Sequence, residues 1–199
     1  MKKNIKLHDY HINRNDRRKL NQHNSFLIWV TGLSGSGKST IANELEFALH
    51  EAGVKTYVLD GDNIRHGINK NLTFSPEDRS ENNRRIAEIS KLFIDAGIVV
   101  IAAFISPYKK DRAIVKDIVG TDNFVEVYVN TSVEECERRD VKGLYQKARL
   151  GEIKNFTGIS APYESPEDPD IEIKTESESI EVGVLKIFNH IEEKLTYNG

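Results

Sequence analysis

Cysteine is almost absent from this chain of 199 residues, which contains only Cys136. A single cysteine excludes a disulfide within the chain and fits a reducing compartment. Long apolar runs are missing as well: none approaches the length of a membrane span, and the N-terminus lacks the apolar core of a signal peptide. We therefore expect a cytoplasmic protein with no membrane partner.

An excess of charge of either sign is also missing. The net charge is −3, from 28 Lys and Arg against 31 Asp and Glu, which argues against general nucleic-acid affinity. Residues 1–24 differ from the rest because they are polar and basic, and we interpret them as a solvated extension with a helix at 13–20. Their three histidines, His8, His11 and His23, lack metal-ligand spacing. Residues 25–199 suffice for one α/β domain.

A complete P-loop of the form GxxxxGK[ST] follows directly on a short apolar run at 26–31. Apolar residues at helical spacing come after it, so strand, glycine-rich turn and helix occur in the order that a phosphate-binding loop requires. The sequence therefore predicts a nucleoside triphosphate site. The predicted nucleotide-binding residues of the loop are Gly32, Leu33, Ser34, Gly35, Ser36, Gly37, Lys38, Ser39 and Thr40.

Each fixed position of this loop has a physical task. The glycines allow turn conformations in which successive backbone N–H groups point into one concave nest. Lys38 adds a positive charge against the β- and γ-phosphates of ATP, and the Ser39 hydroxyl can hold Mg²⁺. The helix that begins here directs its positive end at the same anion.

Strands and helices alternate along the rest of the chain. Strands are predicted at 26–31, 55–59, 98–105, 124–129 and 171–173, and the longer helices at 78–96, 109–119 and 180–195. This alternation predicts a doubly wound parallel sheet of about five strands with helices on both faces, as in P-loop NTPases. The continuous apolar run at 98–105 is predicted to be the central strand.

The segment at 138–169 interrupts the alternation. It is basic, rich in glycine and proline, and carries aromatic residues, and a long irregular stretch inside a compact domain usually has a function. We predict a mobile lid that closes over phosphates. A solvated basic loop is the alternative.

Two aspartates favour one kind of P-loop protein over another. The apolar run at 98–105 ends in Ser106 instead of a carboxylate, whereas Asp60 and Asp62 end the second strand. Carboxyl ends of parallel strands line one crevice, so both aspartates are expected to face the P-loop phosphates. A switch GTPase is disfavoured, because no NKxD segment is present and the DxxG match at 117–120 falls at a helix end.

Several segments together resemble the adenylylsulfate (APS) kinase family. Besides the P-loop they are DGDNIRHG at 60–67, FSPEDR at 74–79, ENNRRIAE at 81–88, AFISPY at 103–108, GLYQKAR at 143–149, NFTGI at 155–159 and APYE at 161–164. The resemblance covers about residues 24–195. It implies a standalone kinase that transfers the γ-phosphate of ATP to the 3′-hydroxyl of APS, giving PAPS for sulfate assimilation, and it allows a homodimer.

The resemblance also implies catalytic roles for Lys38, Asp60, Asp62 and Ser106. Asp62 would lie near the acceptor ribose and orient its 3′-hydroxyl or take its proton, while Asp60 would join Ser39 in holding Mg²⁺; which aspartate does which stays open. Ser106 matches a serine described in the family as a phosphorylated intermediate. Because P-loop kinases can transfer phosphate directly in line, we expect Ser106 to contact APS without a covalent step.

The resemblance also implies which residues bind the acceptor, APS. Phe74 and Phe156 match an aromatic pair that sandwiches the APS adenine, and Arg65 and Arg79 suit its anionic part. The chain departs from the family pattern at Thr73 and Asn83. The full set of implied APS contacts is Asp62, Arg65, Phe74, Arg79, Asn82, Ile105, Ser106, Lys142, Leu144 and Phe156, and Arg138 is implied for ATP.

Two other functions stay open at this point. Another P-loop small-molecule kinase, of the nucleoside-monophosphate or gluconate type, would share the fold. The aromatic pair and the segment at 60–65 favour APS over those acceptors. A catalytically silent nucleotide-binding regulator is the second alternative, and the intact Lys38, Ser39, Asp60 and Asp62 argue against it.

Overall fold

A parallel sheet of five strands runs through the computed structural model, which describes residue 6 and residues 8–197. Within that part of the chain the strand order is β2-β3-β1-β4-β5, and each neighbouring pair is parallel. The predicted fold class is confirmed. The strands are β1 (Leu27–Thr31), β2 (Thr56–Asp60), β3 (Val99–Ala103), β4 (Phe124–Asn130) and β5 (Ile171–Lys174).

The prediction of the central strand was wrong. β1 occupies the middle of the sheet, and β3 lies between β1 and the edge strand β2. Every residue of β1 and of β3 is buried, because helices cover both faces of both strands. A continuous apolar run therefore reports burial on two faces, and it does not report the position in the strand order.

Helices cover both faces of the sheet. α2 and α8 pack on one face, while α4 and α5 pack on the other, and each pair buries an apolar core against alternate residues of β1 and β3. Such two-sided cover is what an all-parallel sheet requires. The helices are α1 (Arg14–Asn21), α2 (Lys38–Glu51), α3 (Gly61–His66), α4 (Pro76–Asp95), α5 (Lys109–Val119), α6 (Val133–Arg139), α7 (Leu144–Arg149) and α8 (Ile180–Leu195).

Serine caps fix where three of these helices begin. The hydroxyls of Ser75, Ser132 and Ser179 accept backbone N–H bonds at the starts of α4, α6 and α8. A side-chain acceptor there satisfies one of the four backbone donors that every helix start leaves unpaired. Gly97 follows the end of α4 with a φ of +83°, which favours glycine at that stop.

The basic N-terminal segment is attached to the domain from α1 onward. Arg14 and Arg18 donate hydrogen bonds to Ser25, and Asn21 donates to the Gly97 carbonyl. His23 is buried, and its Nε2 accepts the backbone N–H of Lys55 at 2.9 Å. The predicted helix at 13–20 agrees with α1, which is attached to the domain along one side while its other side is exposed. Residues 1–5 and 7 lie outside the described part, and the division at residue 24 stays a prediction.

The predicted lid is more ordered than an irregular loop. It contains α7, and an apolar cluster of Leu33, Cys136, Tyr145, Ala148 and Phe156 lies between α6, α7 and the P-loop. The later half is fixed to the domain, because the Glu164 N–H donates to the Pro107 carbonyl at 2.8 Å. Movement of the segment stays a prediction. In the described part of the chain, no helix is both long enough and apolar enough to cross a membrane.

Candidate nucleotide and acceptor site

A crevice of about 290 Å³ opens at the carboxyl ends of β2 and β3, beside the P-loop. Strand ends meet there because the sheet is parallel, and α4 and the lid close its far side. The crevice brings together most of the residues that the sequence predicted. Those that line it are Ser34, Gly35, Gly37, Lys38, Ser39, Thr40, Asp60, Asp62, Arg65, Phe74, Arg79, Asn82, Ile105, Ser106, Lys142 and Leu144.

The P-loop has the conformation that a phosphate nest needs. Gly35 and Gly37 have φ values of +76° and +104°, in the left-handed region that other residues rarely adopt. Lys38 is 8% exposed, and its Nζ donates to the Leu33 carbonyl at 2.6 Å. Burial lowers the pKa of Lys38 to about 8. An anion beside Nζ would stabilise the charged form, because opposite charges attract strongly in a buried site.

Ser39 and Asp60 form a pair of oxygen donors next to the loop. The Ser39 hydroxyl donates to Asp60 Oδ2 at 2.8 Å, while Asp60 Oδ1 accepts the Asp62 N–H at 3.0 Å and so caps α3. Asp60 is therefore held rigidly by the helix that it caps. In the described residues no group of three or more His, Cys, Asp or Glu gathers at a metal-binding distance. One or two protein oxygens beside a phosphate site fit Mg²⁺, which usually takes its remaining ligands from phosphates and water.

Asp62 forms an ion pair with Lys142 across the mouth of the crevice. Asp62 lies in the first turn of α3, whereas Lys142 belongs to the lid segment just before α7. Both side chains are exposed, so the pair by itself contributes little to the stability of the fold. Its position is informative, because it links the predicted lid to the predicted acceptor carboxylate.

Phe74 lies under two arginines. The guanidinium carbon of Arg65 is 4.4 Å from the centre of the Phe74 ring, and that of Arg79 is 5.5 Å away. Arg79 also donates to the Phe74 carbonyl and to the Asn155 carbonyl of the lid. The ring is 58% exposed, so a flat apolar face and two cations stand at one end of the crevice. That combination suits a ligand with an aromatic base and an anion.

Ser106 is more tightly held than a free nucleophile. It is 3% exposed, and its backbone φ is +38°. Its Oγ accepts the Trp29 indole N–H at 3.0 Å and donates to Thr31 Oγ1 at 2.9 Å. Arg112, itself buried, donates to the Ser106 carbonyl at 2.7 Å. The Ser106 hydroxyl therefore links the end of β3 to β1.

Two predicted ligand residues lie elsewhere than expected. Arg138 is exposed on α6 and donates to the Glu135 carboxylate from Nε and Nη2. It does not line the crevice. Phe156 is 8% exposed and packs edge-on against Tyr145, with ring centres 4.9 Å apart. The sequence could not predict where these two side chains point, because their orientation depends on how α6 packs against the lid. Three further loop residues that the sequence predicted to bind nucleotide do not line the crevice: Gly32, Leu33 and Ser36.

Sequence reasoning missed several residues that contact the P-loop. Tyr145 donates from its hydroxyl to the Ser34 carbonyl at 2.8 Å, and Thr131, Thr175 and Arg139 surround the Ser36 carbonyl. Thr175 lies 139 positions from Ser36 in the chain, so no local spacing could have found it. Asn83, noted only as a departure from a family pattern, also lines the crevice.

Comparison with known proteins gives consistent results. A profile of the adenylylsulphate kinase family matches residues 24–174. The adenylyl-sulfate kinase of Staphylococcus carnosus is 58% identical over 191 residues, which make up 96% of each chain. A solved Mycobacterium tuberculosis APS kinase in complex with AMPPNP and APS matches with a TM-score of 0.82 at 44% identity, over 85% of this chain and 98% of that one. A Sinorhizobium meliloti gluconokinase, with a TM-score of 0.55 at 14% identity over 86% and 93% of the two chains, shares the fold alone.

Proposed function

Because the chain belongs to the adenylylsulphate kinase family, we propose that it transfers the γ-phosphoryl group of ATP to the 3′-hydroxyl of APS, giving PAPS. The observation that carries this proposal is the composition of one crevice. A complete P-loop with the Ser39–Asp60 pair lies on one side, and Asp62 with the arginine-flanked Phe74 lies on the other. ATP and the acceptor can therefore meet between them.

Phosphoryl transfer of this kind depends mainly on positioning and on neutralising charge. The P-loop backbone and Lys38 would bind the β- and γ-phosphates and stabilise the charge on the transferred group. Ser39 and Asp60 would hold Mg²⁺ together with ATP oxygens, and the ion would neutralise charge on the phosphates. Asp62 would orient the acceptor 3′-hydroxyl and accept its proton, with Lys142 fixing the carboxylate from the lid.

The acceptor end follows from the same contacts. Phe74 offers a stacking face for the adenine of APS, and Arg65 and Arg79 offer positive charge for its phosphosulfate. In this structure Phe156 belongs to the apolar cluster beneath the lid, so an adenine sandwich would require it to turn toward Phe74. A role of Arg138 in ATP binding would likewise require it to leave Glu135. Both roles stay proposals that rest on the family pattern.

The proposed activity also implies a pathway and a cellular compartment. PAPS formation would serve sulfate assimilation in the cytoplasm, which agrees with the single buried cysteine. A homodimer stays a prediction. No contact in the crevice favours gluconate or a nucleoside monophosphate over APS, so we propose no second activity.

The direct test of acceptor choice is ADP formation from ATP and Mg²⁺ with four acceptor conditions: APS, AMP, gluconate and none. We expect turnover with APS at least about a hundredfold above the other three, because binding groups built for one substrate reject analogues that lack their partners. Equal or faster turnover with AMP or gluconate would contradict the proposal.

Replacement of Ser106 by alanine tests the covalent route. We expect Ser106→Ala to keep measurable turnover, because the Ser106 hydroxyl already bonds Trp29 and Thr31 and direct transfer needs no phosphoserine. The variant leaves the buried Trp29 N–H without a partner, which costs about 1–3 kcal/mol of stability, so kinetics should be measured well below its melting temperature. Complete loss of turnover, together with a trapped phosphoserine that passes its phosphate to APS at the catalytic rate, would overturn direct transfer.

A further inference from the structure

Carbonyl groups on the outer side of the P-loop are held by residues from distant parts of the chain. The C=O and N–H of one peptide unit point in opposite directions because the unit is planar and trans. A donor that fixes the carbonyl of one residue therefore also fixes the direction of the next residue's N–H. For a loop that binds phosphate through backbone N–H groups, the residues behind its carbonyls decide the shape of the nest.

The Ser36 carbonyl is the first such point. Thr131 and Thr175 each place a hydroxyl 3.2 Å from it, and their own oxygens are 2.6 Å apart. Arg139 Nη1 lies 3.0 Å from Thr175 Oγ1 and 3.4 Å from the Ser36 carbonyl. Ser36 is fully buried, whereas Gly37 lines the crevice. The carbonyl thus faces the interior, and the N–H of Gly37 is directed the opposite way.

Counting donors limits how the protons of this group can be arranged. Each threonine has one hydroxyl hydrogen, so the two hydroxyls cannot both donate to Ser36 and also bond each other. Arg139 has no acceptor and must donate to Thr175 Oγ1. In one arrangement that satisfies the count, Thr175 donates to the Ser36 carbonyl while it accepts from Thr131 and Arg139. The Thr175 hydroxyl lies within hydrogen-bond distance of all three groups, which places it at the centre of the cluster.

The Ser34 carbonyl is the second point. Tyr145, at the start of α7 in the lid, donates its hydroxyl to this carbonyl at 2.8 Å. Its ring is 1% exposed and is fixed by Phe156 and the rest of the apolar cluster. Gly35, the next residue, lines the crevice with its φ of +76°. The lid therefore orients one amide of the nest, and the end of β5 orients another.

We infer that Thr175 and Tyr145 are positioning residues for the nucleotide phosphates: they act through the Ser34 and Ser36 carbonyls to direct the Gly35 and Gly37 N–H groups toward ATP. The inference rests on the proposed function for the identity of the nucleotide. It assigns the lid a role in shaping the ATP side of the crevice, beyond covering it. Arg139 and Thr131 support Thr175 in this role.

The test uses Thr175→Val and Tyr145→Phe, which remove one hydroxyl each and keep the shape of the side chain. Calorimetry measures binding of a non-hydrolysable ATP analogue, of tripolyphosphate and of APS to the full-length protein. We expect each variant to weaken the analogue and tripolyphosphate at least about tenfold, and APS less than about twofold, because only the phosphate nest loses its geometry. Thr175→Ser should restore binding, since it returns the hydroxyl.

Two control variants make the same chemical changes elsewhere. Thr121→Val alters an exposed threonine between α5 and β4, outside the crevice and the lid, and Tyr57→Phe alters a half-exposed tyrosine on β2. Both should bind all three ligands as the parent does. Should Thr175→Val fail to fold, Tyr145→Phe still tests the inference.

Three results would overturn the inference. They are unchanged binding of the ATP analogue, equal weakening of the analogue and APS, and a Thr175→Ser variant as defective as Thr175→Val. Equal weakening would mean that the two hydroxyls only stabilise the fold. Failure of the parent protein itself to bind the ATP analogue would contradict the proposed function instead, so the two failures are distinguishable.

Discussion

Lys38→Met is expected to reduce kcat by about a hundredfold to a thousandfold, the loss typical when one preorganised donor to transition-state charge is removed. Lys38 lines the crevice within the P-loop nest, where its charge would act directly on the phosphates. Methionine keeps most of the volume of the lysine stem, which matters because Lys38 is nearly buried. Lys38→Ala should lose as much activity and also some stability, because its stem no longer packs.

The matched control is Lys91→Met, the same change at an exposed position of α4. It should retain parental kinetics, and thermal unfolding of both variants should show whether Lys38→Met is folded. Turnover near the parental rate in folded Lys38→Met would contradict the assignment of the ATP site. A loss of activity in Lys91→Met as well would mean that the assay reports a general effect of lost charge.

Asp62→Asn is expected to leave ATP binding nearly intact and to reduce kcat by about a hundredfold or more, the range for loss of a general base. The change keeps the size of the side chain and removes its charge, and the proposed ATP site at the P-loop lies on the other side of the crevice. Steady-state kinetics with APS, together with a titration by an ATP analogue, measure the two effects separately. A decrease below about tenfold, or about 1.4 kcal/mol, would show that Asp62 is not the key carboxylate.

Two further variants sharpen the Asp62 result. Asp117→Asn makes the same change at an exposed position of α5 and should behave as the parent does. Lys142→Met removes the other member of the ion pair and leaves the carboxylate. If Asp62 acts on the acceptor hydroxyl, Asp62→Asn should be much more damaging than Lys142→Met. Equal losses would indicate that Asp62 matters only because it holds the lid.

Local chemistry explains what the sequence predicted correctly. The P-loop depends on a few neighbouring residues at fixed spacing, and it was visible as a short pattern between a strand and a helix. The position of Asp60 beside the P-loop followed from one topological rule, that parallel strands end at the same edge of a sheet. Such features need no knowledge of how distant side chains pack.

Packing between distant segments explains what could not be predicted. Whether Phe156 faces the crevice or the cluster around Tyr145 depends on how the lid packs on the P-loop. The continuous apolar run at 98–105 likewise indicated a buried strand without giving its place in the sheet, because the order of parallel strands is set by the crossovers. The donors behind the Ser36 carbonyl come from the ends of β4 and β5, and only the folded chain brings them together.

The central claim is that the phosphoryl group moves from ATP to the 3′-hydroxyl of APS. The most direct measurement is identification of the product formed from ATP labelled at its γ-phosphate, by phosphorus NMR of the mixture with APS and Mg²⁺. The account predicts that the label appears as a phosphate monoester on the ribose 3′-oxygen of APS, in step with ADP formation. Label found only as free phosphate, on another hydroxyl of APS, or retained in ATP would contradict it.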